Sequence, residues 1–201
     1  MSDPIGDLSR RDALRHLGIG VTASVSLEAA QHVHETVAQV KATAKGEYVP
    51  KYFTAHEYQT LRRLADLIVP ADQNSTGALD AGAPEFIDYL SSQNKDMADI
   101  YTGGIAWLDM EMKRRYGAAF VDAKPAEQTA LLDLIAYRRN LTPELAPGIH
   151  FFAWTRNMVV DAFYTSPVGV KDLGYMGNQA VSEFSVPAEA LAYALKRSPF
   201  A

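Results

Sequence analysis

Cysteine is absent from this chain. Its absence excludes disulfides, thiolate nucleophiles, cysteine-bound zinc, iron–sulfur ligation and covalent attachment of a c-type haem to this polypeptide. An oxidising compartment stays open, because a domain of this size can be stable without bridges. Positive charge is in short supply: 19 Lys and Arg face 24 Asp and Glu, a net charge of −5. The basic doublets Arg10-Arg11, Arg62-Arg63, Arg114-Arg115, Arg138-Arg139 and Lys196-Arg197 are scattered. Nucleic acid binding needs concentrated Lys and Arg, so this balance argues against it. The alternating pattern of strands and the turn signals of hairpins are missing too. So are the P-loop lysine pattern and the Gly-x-Ser-x-Gly elbow. Gly174-x-x-Gly177 lacks the rest of the dinucleotide fingerprint, and no strand precedes it.

What is present is ordinary for a globular protein: 48% apolar and 21% charged residues in a chain of 201. That length favours one domain plus an additional segment. The stretch that organises the domain runs from Phe53 to Asp72. Thr54 is a good N-cap, and Glu57 three residues on completes a capping box. Phe53 and Tyr58 are spaced to staple the entry. Tyr58, Leu61, Leu64, Ala65 and Ile68 then share one helical face, opposite Gln59, Arg62, Arg63 and Asp66. Pro70 stops the run.

Further helices follow. Pro84 and Glu85 mark a start, since proline suits the first turn and an acid favours the positive helix end. Lys95 to Tyr116 is the clearest long helix, with Met97, Tyr101, Gly104, Leu108 and Met112 as its buried stripe and Gly117 as its stop. Gly103-Gly104 weakens it, and a close crossing with another helix would account for the pair. Pro125 opens another helix with Leu131, Leu132, Leu134 and Ile135 as packing residues. The segment from Ile149 to Tyr164 is apolar around most of its circumference (Phe151, Phe152, Trp154, Met158, Val159, Val160, Phe163) and reads as the central buried helix. Residues 169–178 read as a glycine-rich loop. A last helix starts at Pro187 and is expected to bury Leu191 and Leu195. The expected fold is therefore mostly α: one domain of about five or six helices, with a glycine-rich loop. It spans residues 45–201, after a signal and tether over residues 1–44.

The N-terminal segment has its own character. Ser9-Arg10-Arg11-Asp12-Ala13-Leu14-Arg15 precedes a mildly apolar, small-residue run from Leu17 to Leu27. Charge followed by a short apolar run is the layout of a secretory signal. As a helix the run would span about 17 Å, against about 30 Å of hydrocarbon. Arg10 and Arg11 resemble the twin-arginine export signal, with Ala13 a departure from its usual Phe. Ala42-Thr43-Ala44 fits a small-residue cleavage site.

Titratable residues do not form a recognisable centre. His32 and His34 point to different faces of a helix, His56 is expected to face solvent, and His150 is a boundary histidine. Asp66, Asp72, Asp88 and Asp109 show no paired-carboxylate spacing. No catalytic, cofactor-binding or metal-binding residue is assigned. The candidate partner contact is the Tyr164–Asn178 stretch, with Tyr164, Pro167, Tyr175, Gly177 and Asn178, because glycine allows close approach and tyrosine is enriched at interfaces. Internal packing is the competing role for it.

Four segments together resemble the gluconate 2-dehydrogenase subunit 3 family. They are the 53–72 pattern, Gly82-Ala83-Pro84-Glu85-Phe86-Ile87-Asp88, Gly104-Ile105-Ala106-Trp107-Leu108-Asp109, and Phe163-Tyr164-x-Ser166-Pro167 continuing to Gly174-Tyr175-x-Gly177-Asn178. The resemblance implies a small non-catalytic subunit that escorts, exports and stabilises a flavin-dependent sugar or sugar-acid dehydrogenase of the glucose–methanol–choline type. FAD would sit in that partner and haem c in a third, cytochrome subunit, with export to the periplasm by the twin-arginine route. The alternatives are a stand-alone periplasmic oxidoreductase or ligand-binding protein, and a structural interaction module without a dehydrogenase partner.

Overall fold

A computed structural model describes residues 27–43, 48–175 and 185–198. Among them are nine α-helices and no strand: α1 (Leu27–Thr43), α2 (Ala55–Ile68), α3 (Gly77–Asp80), α4 (Ala83–Gln93), α5 (Lys95–Tyr116), α6 (Pro125–Ile135), α7 (Ala146–Tyr164), α8 (Pro167–Asp172) and α9 (Ala188–Arg197). Two 3₁₀ turns, Phe120–Asp122 and Arg138–Asn140, flank α6.

The capping box of α2 is formed. The Glu57 N–H donates to Thr54 Oγ1 at 3.3 Å, and the Thr54 N–H donates to Glu57 Oε2 at 2.9 Å. Tyr58, Leu61, Leu64, Ala65 and Ile68 are all buried on its inner face. Phe53 is buried edge-on to Tyr101, and Tyr58 lies against Tyr48. The polar loop after Pro70 is an Asx turn, in which Asp72 Oδ1 accepts from the N–H groups of Asn74 and Ser75.

Helix α7 is central. It packs against α2, α3, α4, α5, α6 and α8. It crosses α5 at close range, where a Cβ on Gly104 would lie 2.0 Å from the Phe151 ring. The predicted close crossing therefore holds for Gly104 and not for Gly103, around which nothing lies within 4 Å. The contact is reciprocal. A Cβ on Gly148 of α7 would lie 2.0 Å from the ring of Trp107 on α5. Each helix thus offers a glycine socket to an aromatic ring of the other.

Three expectations need correction. Read as a tether, α1 instead packs on the body. Ala30, Val33 and Val37 join the core, His34 lies against Phe86 with ring centroids 4.8 Å apart, and Lys41 Nζ pairs with the buried Glu85 at 2.9 Å. The packed unit therefore includes residues 27–43, upstream of the expected boundary. The stretch read as a glycine-rich loop from residue 169 begins inside α8, whose cap is Ser166, its Oγ accepting from the Gly169 N–H at 3.1 Å. Last, α9 buries nothing: Leu191 and Leu195 are each about half exposed. Short α3 and α8 and the packed α1 raise the count above the expected five or six.

Two outcomes follow from this packing. A chain starting at residue 45 is expected to be less stable than one starting at residue 27 by about 3 kcal/mol, the worth of the apolar surface α1 buries. Urea midpoints of the two truncations measure it. Gly104→Ala is expected to cost about 1–3 kcal/mol through overpacking against Phe151, read from the same titrations.

Candidate functional site

The histidines and carboxylates singled out in the sequence mostly hold the fold. Asp88 is buried and accepts four hydrogen bonds: Tyr48 OH at 2.7 Å and the N–H groups of Lys51, Tyr52 and Phe53 at 2.7, 3.1 and 3.0 Å. It fixes residues 48–53 just before α2 begins. Asp109 accepts from the Phe120 N–H at 2.8 Å, and its other oxygen lies 2.5 Å from His56 Nε2. His56 is thus partly exposed but paired, rather than simply solvent-facing. His34 Nε2 meets Thr165 Oγ1 at 3.0 Å, and burial pulls its pKa down. His32 and His150 are exposed. Arg114 and then Arg115 hold the Glu111 carboxyl down at about 2. Glu85 accepts from Lys41 of α1 and faces Arg62 of α2 at 3.6 Å, joining three helices. Among the described residues, no three His, Asp or Glu side chains gather as metal ligands, and no helix is long and apolar enough to cross a membrane.

The sequence-derived contact stretch divides. Tyr164 is only 2% exposed and stacks edge-on with Phe163, so it packs internally and offers no surface. Pro167 is exposed at the first turn of α8, and Tyr175 is about half exposed beyond its end. Gly177 and Asn178 lie outside the described residues, as do Arg10 and Arg11.

Apolar surface gathers in a different place. Both tryptophans of the chain line a groove of about 370 Å³ between α5 and α7, with Ile100, Gly103, His150 and the edge of Phe151. Trp154 is 40% exposed and Ile100 38%. Met110 continues the line by register and is more exposed still. Helix α5 therefore has two apolar stripes: the expected one, turned inward, and an outward one at 100, 103, 107 and 110. The second stripe was not read from the sequence, and Trp154 was expected in the core. The local signal was Gly103, a mid-helix glycine that costs roughly 1 kcal/mol relative to alanine and that no internal contact requires.

With that geometry in view, comparison with known families is informative. The family model described as gluconate 2-dehydrogenase subunit 3 matches residues 55–182. The chain belongs to this family. The match covers α2 to α8 and so contains the whole α5–α7 groove, while α1 and α9 lie outside it. No curated protein and no solved structure matches the chain.

One buried acid is left over. Asp161 on α7 is 2% exposed, and neither of its carboxylate oxygens has a hydrogen-bond partner. Burial raises its pKa from 3.8 to about 6. The folded chain therefore holds the proton more tightly than the unfolded one, so stability falls as pH rises from about 4 to about 6 and then levels. At pH 7 the charged group costs up to about 3 kcal/mol. Asp161→Asn is expected to raise the urea midpoint at pH 7, with the gain shrinking towards pH 4.

Proposed function

We propose that this chain is the non-catalytic small subunit of a flavin-dependent sugar or sugar-acid dehydrogenase complex. In that complex it escorts the large subunit through export and stabilises it afterwards. Membership of the gluconate 2-dehydrogenase subunit 3 family carries the reading, because that description makes the chain one subunit of a dehydrogenase. Three observations support the rest. The N-terminal Arg10-Arg11 followed by the Leu17–Leu27 run has the layout of a twin-arginine leader. Asp88, Asp109, Glu85, Glu111, His34 and His56 are held in bonds that build the fold. The outward α5–α7 surface, with both tryptophans, suits a lasting protein contact.

On this reading the chemistry belongs to the partner. FAD resides in the large, glucose–methanol–choline-type subunit, and haem c in a third, cytochrome subunit. The complex works in the periplasm, attached to the membrane through those partners. This chain's own contribution is an address read by the twin-arginine export machinery and a docking surface. The twin-arginine route takes folded cargo, which suits a flavoprotein that must acquire its cofactor before crossing.

The test is co-expression with a flavin-dependent large subunit of the proposed complex. Arg10→Lys with Arg11→Lys is expected to leave both chains, and at least nine-tenths of the dehydrogenase activity, in the cytoplasm, on the order of a tenfold loss from the periplasm. Fractionation and flavin fluorescence read the result. A flavoprotein that reaches the periplasm in the absence of this chain would sink the escort role.

A further inference from the structure

Helix α1 has more structure than a tether behind a leader needs. A tether requires only length and polarity, but Ala30, Val33, His34, Val37 and Lys41 fall on one face of a helix. That face is the one turned to the body. Ala30, Val33 and Val37 are buried in the core. His34 bonds Thr165 at the end of α7 and lies against Phe86 of α4, and Lys41 reaches Glu85 in the first turn of α4. Gln31, His32, Glu35, Ala38 and Gln39, away from that face, are exposed. The helix is therefore fastened along its length, from Ala30 near its start to Lys41 in its last turn.

That fastening bears on Ala42-Thr43-Ala44, the small-residue triplet that fits a cleavage site. Ala42 and Thr43 are the last two residues of α1 and follow directly on Lys41, while Ala44 lies outside the described residues. A peptidase takes its substrate as an extended strand, so the final turn has to unwind and Lys41 has to leave Glu85 before a bond there can be cut. A cut at that point would also strip from the body a helix that covers part of its core, and take from the buried Glu85 the nearer of its two cations. Upstream, Ser24-Val25-Ser26 offers small residues at the same spacing, at the end of the apolar run. We infer that α1 is a permanent part of the exported protein, its docking on α4 and Thr165 shielding Ala42-Thr43-Ala44, so that every cut that removes the leader falls upstream of Leu27. The inference rests on the leader proposed above and adds where the mature chain begins. The family match starts at residue 55 and does not extend to α1, so the packing of the helix carries the point.

The experiment expresses the full chain in a bacterium that has the twin-arginine route, recovers the periplasmic fraction, and reads the first residue by intact mass and N-terminal sequencing. The wild-type chain is expected to begin at or before Leu27. A mature chain that begins anywhere from residue 28 to Lys45 overturns the inference and leaves the leader standing. A wild-type chain found only in the cytoplasm, at full length, removes the leader and the inference together. Val37→Asp with Lys41→Glu, which lifts α1, is expected to move the start of most of the exported chain to Lys45, and a start that does not move overturns the shielding. Where that double variant is lost to misfolding, Lys41→Ala in the purified full chain decides. A protease that cuts after alanine is expected to cleave behind Ala44 about threefold to tenfold faster than in the wild type, because the last turn opens more often. Equal rates overturn the shielding.

Discussion

The crossing of α5 and α7 is the contact on which the rest depends. Two glycines, one on each helix, receive an aromatic ring from the other: Phe151 over Gly104 and Trp107 over Gly148. Missing side chains let the two helices approach, and close approach lets dispersion act over two large rings. The inner side of the crossing feeds the core, where Tyr101 meets Phe151 edge-on and Phe53 meets Tyr101 in turn. The outer side leaves Trp107 and Trp154 flanking Gly103. One packing solution therefore sets both the interior and the outer face of this crossing.

Around that crossing, polar groups act as fasteners. Asp88 gathers a hydroxyl and three consecutive backbone N–H groups, which secures the approach to α2 without any regular structure there. Gln128 donates to the Phe120 carbonyl at 2.7 Å and accepts from Arg63 at 2.8 Å, tying α6 to α2 through the 3₁₀ turn. Glu85 ties α1 and α2 to the start of α4. Each is a buried or half-buried polar group with its partners supplied by the fold. Asp161 differs from these in that neither carboxylate oxygen has a hydrogen-bond partner, and it brings a stability cost that is felt at neutral pH and not in acid.

Asp88, Asp109, Glu85, His34 and His56 are taken up in fastening the fold, while Ile100 and Met110 are turned outward along α5. A family of dehydrogenase subunits is a natural setting for such a chain.

The sequence by itself determined the longer helices and most of their limits, but not the short α3 and α8. Thr54 and Glu57 opened α2, Gly117 ended α5, and the inward stripe of α5 was legible residue by residue. These are local matters of capping and period, settled within a few residues of chain. The family resemblance was legible for the same reason, as short motifs in order. Only the tertiary structure decided where the helices went. It placed α1 on the body, buried Tyr164, left Leu191 and Leu195 outside, and turned Trp154 to the surface. Apolar character says that a side chain gains by leaving water, but not which surface will cover it. That depends on distant segments such as Gly104 and Phe151 meeting at close range, and no local pattern encodes such a meeting.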